Sequence, residues 1–398
     1  MPEPVISHAT GAGISPESTL GEVAADLRAH GVQRVHVLAW RDLDDPEAGG
    51  SEVHADHFMR RWADAGLEVV HRTSHAAGRS PEDVRHGYRV IRRGGRMSVF
   101  PRVVLSEMCG RMGPFDALVE VWNGVPWLSP VWCRKPNITF IHHVHGPMWN
   151  QVLPGPMAAV GRRVEASMAP PFYRRTRVVT PSESTRDELL QLGFRDDMVT
   201  AVNNGIDDDF SVGGSKAAEP TIVCVARMAP VKRHHLLVEA AVEARRAVPD
   251  LRLVLVGDGP TRPAQETLVR EHRAADWVTF TGHLDRGQLV EQYRRAWIVA
   301  SASLAEGWGL SLTEAAACGT PAVATDINGH RSSVINGSTG DLVPPERLGS
   351  AIAALLTDHD RRRRFADAAV RRAATLTWDS AALGLLLVLH AEVIRRRR

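Results

Sequence analysis

Two glutamates eight positions apart, Glu306 and Glu314, carry the clearest chemistry in this chain of 398 residues. A carboxylate accepts two hydrogen bonds from a vicinal diol, so the hydroxyls of a ribose or a hexose are natural partners. The residues between them include Gly307 and Gly309, and a helical pattern opens near Leu310. A glycine loop feeding a helix start presents backbone N–H groups to an anion, which makes Gly309, Leu310 and Ser311 candidates for phosphate. Upstream, Arg227 and Lys232 lie five residues apart beyond a β-rich run. An arginine bridges two oxygens and a lysine acts as a point charge, so the two suit a diphosphate whose charge grows as a bond to it breaks. Either pair taken alone also fits solvated surface charge. The glycine and apolar neighbours of the glutamates weigh against that reading.

The first half of the chain offers weaker signals. Gly49 and Gly50 close a loop just before a helical stretch. His142, His143 and His145 follow a β-rich run, in a setting where a lone histidine is more often structural. Trp122, Trp127, Trp132 and Trp149 crowd the same region. Core packing explains most tryptophans, with Trp127 and Trp149 the better candidates for stacking on a sugar.

The elements that must position these residues alternate. Thr19 and Glu22 make a capping-box pattern for a helix that stops at Gly31. Strand patterns fall at 35–40, 67–71, 88–91, 117–121, 138–141 and 178–180, with helical patterns at 51–65, 100–111 and 182–192. The stretch 142–175 reads as long and irregular, and such connections are often functional. Residues 211–215 read as a linker. Strands at 221–226, 251–256, 278–281, 298–300 and 322–324 then alternate with helices at 233–248, 261–273, 288–295 and 311–318. This is an α/β chain of two Rossmann-like domains, whose default ligand site is the crevice at the strands' C-terminal ends. The expected division is 1–210 and 217–380, with 1–14 unstructured and a last helix over 381–398.

Taken in order, these segments resemble the retaining family-four glycosyltransferases of the GT-B fold, over roughly residues 35–380. Glu306 and Glu314 match that family's E-x7-E motif, and Arg227 with Lys232 its diphosphate pair. Residues 255–260, 315–324 and 339–343 match its flanks. The turn at 48–52 is similar to its first glycine-rich loop, and 204–207 to the end of its N-terminal domain.

The resemblance implies two facing Rossmann-like domains with a deep crevice, and a last helix returning to the first of them. It implies a retaining transfer of a hexosyl group from a nucleotide diphosphate sugar, GDP- or UDP-linked, to a hydroxyl acceptor. In that reading Gly49 and Gly50 approach the donor phosphate, and Arg227 and Lys232 neutralise the leaving diphosphate without an obligatory metal or other cofactor. Glu306 contacts the transferred sugar, Glu314 the ribose, and the amides of Leu310 and Ser311, opened by Gly309, the phosphate. A histidine after the fourth strand faces the transferred sugar; the count favours His142, with His143 the alternative. One departure is the region 326–333, which lacks the glutamate the family usually carries there. Competing readings are an epimerase or phosphorylase on the same fold, or a non-catalytic subunit that binds nucleotide sugars.

Composition excludes several classes. A net charge of +2 argues against nucleic acid as a partner. The runs at 361–364 and 395–398, with Arg92, Arg93 and Arg96, read first as solvated surface. The alternative is a face for anionic lipid or an anionic acceptor, glycan, lipid-linked or small. The four cysteines have no zinc spacing and read as reduced thiols of a cytoplasmic protein, peripheral to the membrane at most. No apolar run approaches the ~18 residues of a membrane span, and no signal peptide is evident.

Overall fold

A computed structural model describes residues 17–397. The expected unstructured segment 1–14 lies outside them. By contact the chain divides into two units: Met1–Gly205 with Trp378–Arg398, and Ile206–Thr377.

The first unit holds β1 (Arg34–Leu38), β2 (Glu68–Thr73), β3 (Glu82–Arg85), β4 (Tyr88–Arg92), β5 (Ala117–Trp122), β6 (Asn137–Ile141), β7 (Arg177–Thr180) and β8 (Val199–Ala201). They form one sheet in the order β3-β4-β2-β1-β5-β6-β7-β8. Every pairing is parallel except β3 with β4. Strands covered on both faces read as continuous apolar runs, and β5 and β6 are buried at every position. Burial there extends to Glu120, whose carboxylate accepts from the Tyr173 hydroxyl at 2.6 Å and from the amides of Trp127 and Ser129 at 2.9 and 3.0 Å. Burial pushes its pKa up even against these bonds.

The sequence pattern omits β3 and β8. β3 is a polar, exposed edge strand, specified by its turn rather than by apolar alternation. That turn is His86–Gly87, at φ 44° and 82°, the left-handed pair a tight hairpin requires. The stretch 142–175, expected to be irregular, is mostly helical. It runs through Trp149–Val152, Gly155–Arg163, a π-helical turn at Val164–Met168 and Pro170–Tyr173. Prolines fall in the first turns of two of these helices, where a missing N–H costs nothing.

The helix Trp378–Arg397 packs within the first unit. The Trp62 indole donates to Ala382 O at 3.0 Å, and a Cβ on Gly384 would meet Val202 at 2.8 Å. Its middle is buried all round rather than along one stripe, as suits a core helix. Among the described residues, no helix is long and apolar enough to cross a membrane.

The second unit holds β9 (Thr221–Val225), β10 (Arg252–Val256), β11 (Val278–Gly282), β12 (Ile298–Ser301), β13 (Ala322–Thr325) and β14 (Gly340–Val343). The sheet is parallel throughout, in the order β11-β10-β9-β12-β13-β14. The stretch 211–215, expected as a linker, belongs to this unit: Arg294 binds the Ser211 carbonyl at 2.8 Å and its hydroxyl at 3.0 Å. Cys133, Cys224 and Cys318 are buried, Cys109 is exposed, and all four are free thiols.

Candidate functional site

Arg227 is exposed on the turn that leaves β9. The turn after β10 clamps its backbone: Ala226 N donates to Val256 O at 3.1 Å, and Met228 N to Asp258 O at 2.8 Å. Gly257 and Gly259 permit this approach. A Cβ on either would fall 2.3 Å from Ala226 O or 2.5 Å from Met228 O. A glycine turn that reads in the sequence as a plain connection thus fixes the cationic loop.

Lys232 ends the short 3-10 turn Pro230–Lys232. Arg233 follows in a left-handed conformation, and its guanidinium donates to Ala302 O and Ser303 O, each at 2.8 Å. Leu304 N donates to Val231 O at 2.8 Å. These bonds stitch the lysine loop to the glutamate loop, and the Lys232 ammonium donates to Glu306 Oε1. The Ser303 hydroxyl donates to the same oxygen at 2.8 Å. Burial pushes the Glu306 pKa up, but Lys232, His330 and the Ser303 bond outweigh it, and the carboxyl sits below its usual range.

The loop of Glu306 rests on the helix Asn328–Ser333. A Cβ on Gly329 would sit 2.3 Å from Glu306 O, so this contact requires glycine. His330 is buried beside it, with Nδ1 2.7 Å from Thr325 O and Nε2 3.2 Å from the Ser301 hydroxyl. Burial lowers its pKa against the pull of Glu306, and Nδ1 carries the proton that Thr325 O accepts. In the region that lacks the family's glutamate, the Asp326 carboxylate is engaged by Arg331 at 2.6 and 3.0 Å.

Gly309 caps the helix Leu310–Ala317, whose opening amides at Leu310 and Ser311 have no intrahelical partner. Glu314 lies on this helix and accepts from the Tyr293 hydroxyl at 2.8 Å. Its pKa moves opposite to that of Glu306. Burial raises it, and the Tyr293 bond and Arg286 offset only part of the rise. The sequence reading gives no role to Arg233 or Tyr293, and it names the region of Gly329 and His330 only for the glutamate missing there. Only Arg233, adjacent to Lys232, had a local signal.

In the first unit, Gly49 caps the helix Gly50–Asp64, and its amide donates to Glu52 at 2.7 Å. A Cβ on Gly49 would meet nothing nearer than Glu52 Oε2 at 3.9 Å, so packing does not require glycine here. His142, beyond β6, is buried with its ring edge-on to His54 at 5.2 Å. Neither ring has a hydrogen-bond partner among the described residues. Burial keeps both neutral, lowering His54 to about 3 and His142 well below its ordinary value. His143 stacks on His145 at 4.4 Å.

Trp127 and Trp149 are buried core residues rather than sugar platforms. Their indoles donate to Val121 O at 3.0 Å and to Glu165 at 3.1 Å. The metal-capable cluster found among the described residues, Asp26, His30 and His390, is in the first unit. Asp26 there already bridges both imidazoles, at 3.1 and 2.7 Å.

The two sheets, parallel but for the β3–β4 hairpin, and the ordered charged loops define a GT-B glycosyltransferase. Sucrose-phosphate synthase from Thermosynechococcus elongatus has the same fold, with a TM-score of 0.75 over 89% of this chain and 97% of that one at 22% identity. So does Anabaena HepE, solved in complex with UDP-glucose, with a TM-score of 0.70 at 17% identity over 89% and 98%. Residues 48–210 match the model of Glycosyltransferase Family 4, and 205–372 that of Glycosyl transferases group 1. D-inositol 3-phosphate glycosyltransferase 2 of Catenulispora acidiphila is 29% identical over 87% of this chain and 91% of its own length. The chain belongs to the family-four glycosyltransferases, and it is a glycosyltransferase by activity.

Proposed function

We propose that the enzyme transfers a hexosyl group, with retention of configuration, from a UDP- or GDP-sugar to a hydroxyl acceptor. The observation that carries this reading is the Lys232–Glu306 pair, held at the edge of the second unit beside Arg227 and the helix start at Leu310. An incoming diphosphate competes for the Lys232 ammonium. Glu306 is thereby released to accept hydrogen bonds from the sugar's hydroxyls, while Glu314 accepts from the ribose.

As the bond from the anomeric carbon to the phosphate oxygen breaks, charge builds on the diphosphate. Lys232, Arg227 and the helix amides stabilise it. The acceptor oxygen bonds to the anomeric carbon on the face the phosphate leaves, and its proton passes to a phosphate oxygen. Through the family resemblance, Gly49, Gly50 and a neutral His142 serve the phosphate and the transferred sugar. The similar proteins, HepE with UDP-glucose and the inositol-phosphate and sucrose-phosphate enzymes, support UDP-glucose as the first donor to try and a phosphorylated polyol or sugar as the first acceptor. The reading places the reaction in the cytoplasm, with no resident metal.

The test incubates the enzyme with UDP- and GDP-sugars and such acceptors, following nucleotide release and the product's anomeric coupling by NMR. The expected product keeps the donor's configuration, and its formation needs both Lys232 and Glu306. An inverted product overturns retention. Formation of a sugar 1-phosphate from inorganic phosphate overturns transfer in favour of phosphorolysis.

A further inference from the structure

The sequence singles out the arginines of the C-terminal run, and glycosyl transfer leaves them unused. They lie on a cavity of about 890 Å³ within the first unit. Its lining includes Val32, Asp116, Pro136 and Thr176, which precede β1, β5, β6 and β7. The cavity therefore sits at the N-terminal edge of the sheet. His142 emerges at the other end of β6, five residues away or roughly 16 Å at the usual strand rise. This is not the edge that carries the family site.

Seven cationic side chains line the cavity, and they are of two kinds. Arg395, Arg396 and Arg397 have structural duties. They cap the end of the helix Trp378–Arg397 and donate to the carbonyls of Arg175, Arg134 and His30, which belong to three separate loops. The fully buried Glu392 carboxylate pins Arg395 and Arg396 at 2.7 and 2.6 Å. Arg134, Lys135, Arg174 and Arg175 have no such account. All four are exposed, and none has a carboxylate partner among the described residues. The one carboxylate in the lining, Asp116, is committed to the amides of Gln33 and Arg34 and to the Arg34 guanidinium.

Several other arginines that look loose in the sequence are neutralised by carboxylates. Arg92 is fully buried on Asp42 and Asp44 at 2.7 and 2.8 Å, Arg93 pairs with Glu82 at 2.7 Å, and Arg361 pairs with Asp341 at 2.6 Å. Arg96 pairs with Glu47. Uncompensated like charges around one cavity repel, and a bound anion relieves that cost. The volume exceeds what one phosphate needs and matches a small-molecule site.

We propose that this cavity binds a ligand bearing several phosphate groups, either free or arrayed on a lipid surface. Because it lies in the first unit, pyrophosphate binding there is resolved from any at Lys232 by hydrogen–deuterium exchange read segment by segment. Pyrophosphate is expected to slow exchange at 134–137 and 174–177. The double variant Arg134→Glu/Arg174→Glu loses that protection, as does the milder Arg134→Gln/Arg174→Gln, which guards against misfolding. Binding falls roughly fivefold for each cation lost.

Flotation with phosphatidylglycerol vesicles, against phosphatidylcholine, distinguishes the sources. Flotation lost in the same variants assigns the site to a lipid surface; protection by pyrophosphate without flotation assigns it to a free ligand. The proposal is overturned if neither probe acts at these segments. It is equally overturned if folded variants retain both effects.

Discussion

The two units prepare for a ligand in opposite ways. In the second, every charged group of the site already has a partner: Lys232 holds Glu306, Ser303 shares the same oxygen, and Tyr293 holds Glu314. In the first, polar atoms beside His142 are left open. Two buried imidazoles lack partners, and the glycine has room beside it. A ligand must therefore compete for the second unit's groups, which are aimed and held, whereas it completes the first unit's. The charge that meets a diphosphate is concentrated in the unit whose site groups are already paired without it.

Removing that charge should have the largest effect. Lys232→Ala deletes the counter-ion of the leaving group, and kcat/KM is expected to fall by about 10³, the scale of losing one aimed donor. It also strands the Glu306 carboxylate. The cost in stability is about 1–2 kcal/mol, below that of a dry pair because both side chains keep some water contact. Transfer rates with a denaturation curve on the same variant check both numbers. A variant that folds and transfers at the wild-type rate would break the comparison at its root.

Glycine substitutions sharpen it next. Gly329→Ala places a methyl group against Glu306 O and must displace the glutamate loop. Transfer should drop about 10²-fold, since a shift of about 1 Å in a positioned group costs that much. Gly49→Ala meets nothing in the unliganded fold, and φ at this position is −146°. The folded protein should melt as the wild type does, while donor KM rises about tenfold because the phosphate loses backbone approach. An unchanged KM in Gly49→Ala would remove the phosphate role assigned to that turn.

The same contrast governs what could be read in advance. Sheet strands with apolar runs, such as β5 and β10, announce themselves, and the motif residues Lys232 and Glu306 follow from spacing and family pattern. The supports do not. Gly329 is one glycine among many until the fold sets it against a carbonyl 23 positions earlier in the chain. His330 and Tyr293 act through contacts across 29 and 21 residues. The partnerless state of His54 is a property of packing that no local pattern encodes. Arg92 reads as surface charge beside Arg93, and only the pairing of β4 with its neighbours buries it.

The opposed pKa shifts of the two glutamates give a pH test. Glu306 is held below the carboxylate range and stays ionised in mild acid, while Glu314 is raised by burial and takes up a proton first as pH falls. The acid limb of kcat/KM, which reports the free enzyme, should therefore lie above the ordinary carboxylate range and belong to Glu314. Glu314→Gln should lower the plateau by about tenfold and abolish that limb. A limb that survives the substitution would assign it to another group and leave Glu314 without a titrating role.

The smallest effect is one of stability, and it concerns the open side of the comparison. His54 is buried against Phe140, His142 and Trp378, with both ring nitrogens unpartnered and its pKa lowered to about 3. Its unfolded value is near 6.5, so between these limits the unfolded chain binds the extra proton. Stability then falls as pH drops below about 6.5, by up to about 1.4 kcal/mol per unit from this group. His54→Leu removes both the unpaired polar atoms and the titration. The variant should gain about 1 kcal/mol at neutral pH, lose less stability on acidification, and melt about 2–3 °C higher. Its donor KM should be unchanged, because nothing in the reaction calls on His54. Melting curves at pH 7 and pH 5 decide the point. An equal acid loss in both proteins would mean that His54 is not kept neutral by burial, and the contrast between the paired charges of the second unit's site and the open imidazoles of the first would lose its physical basis.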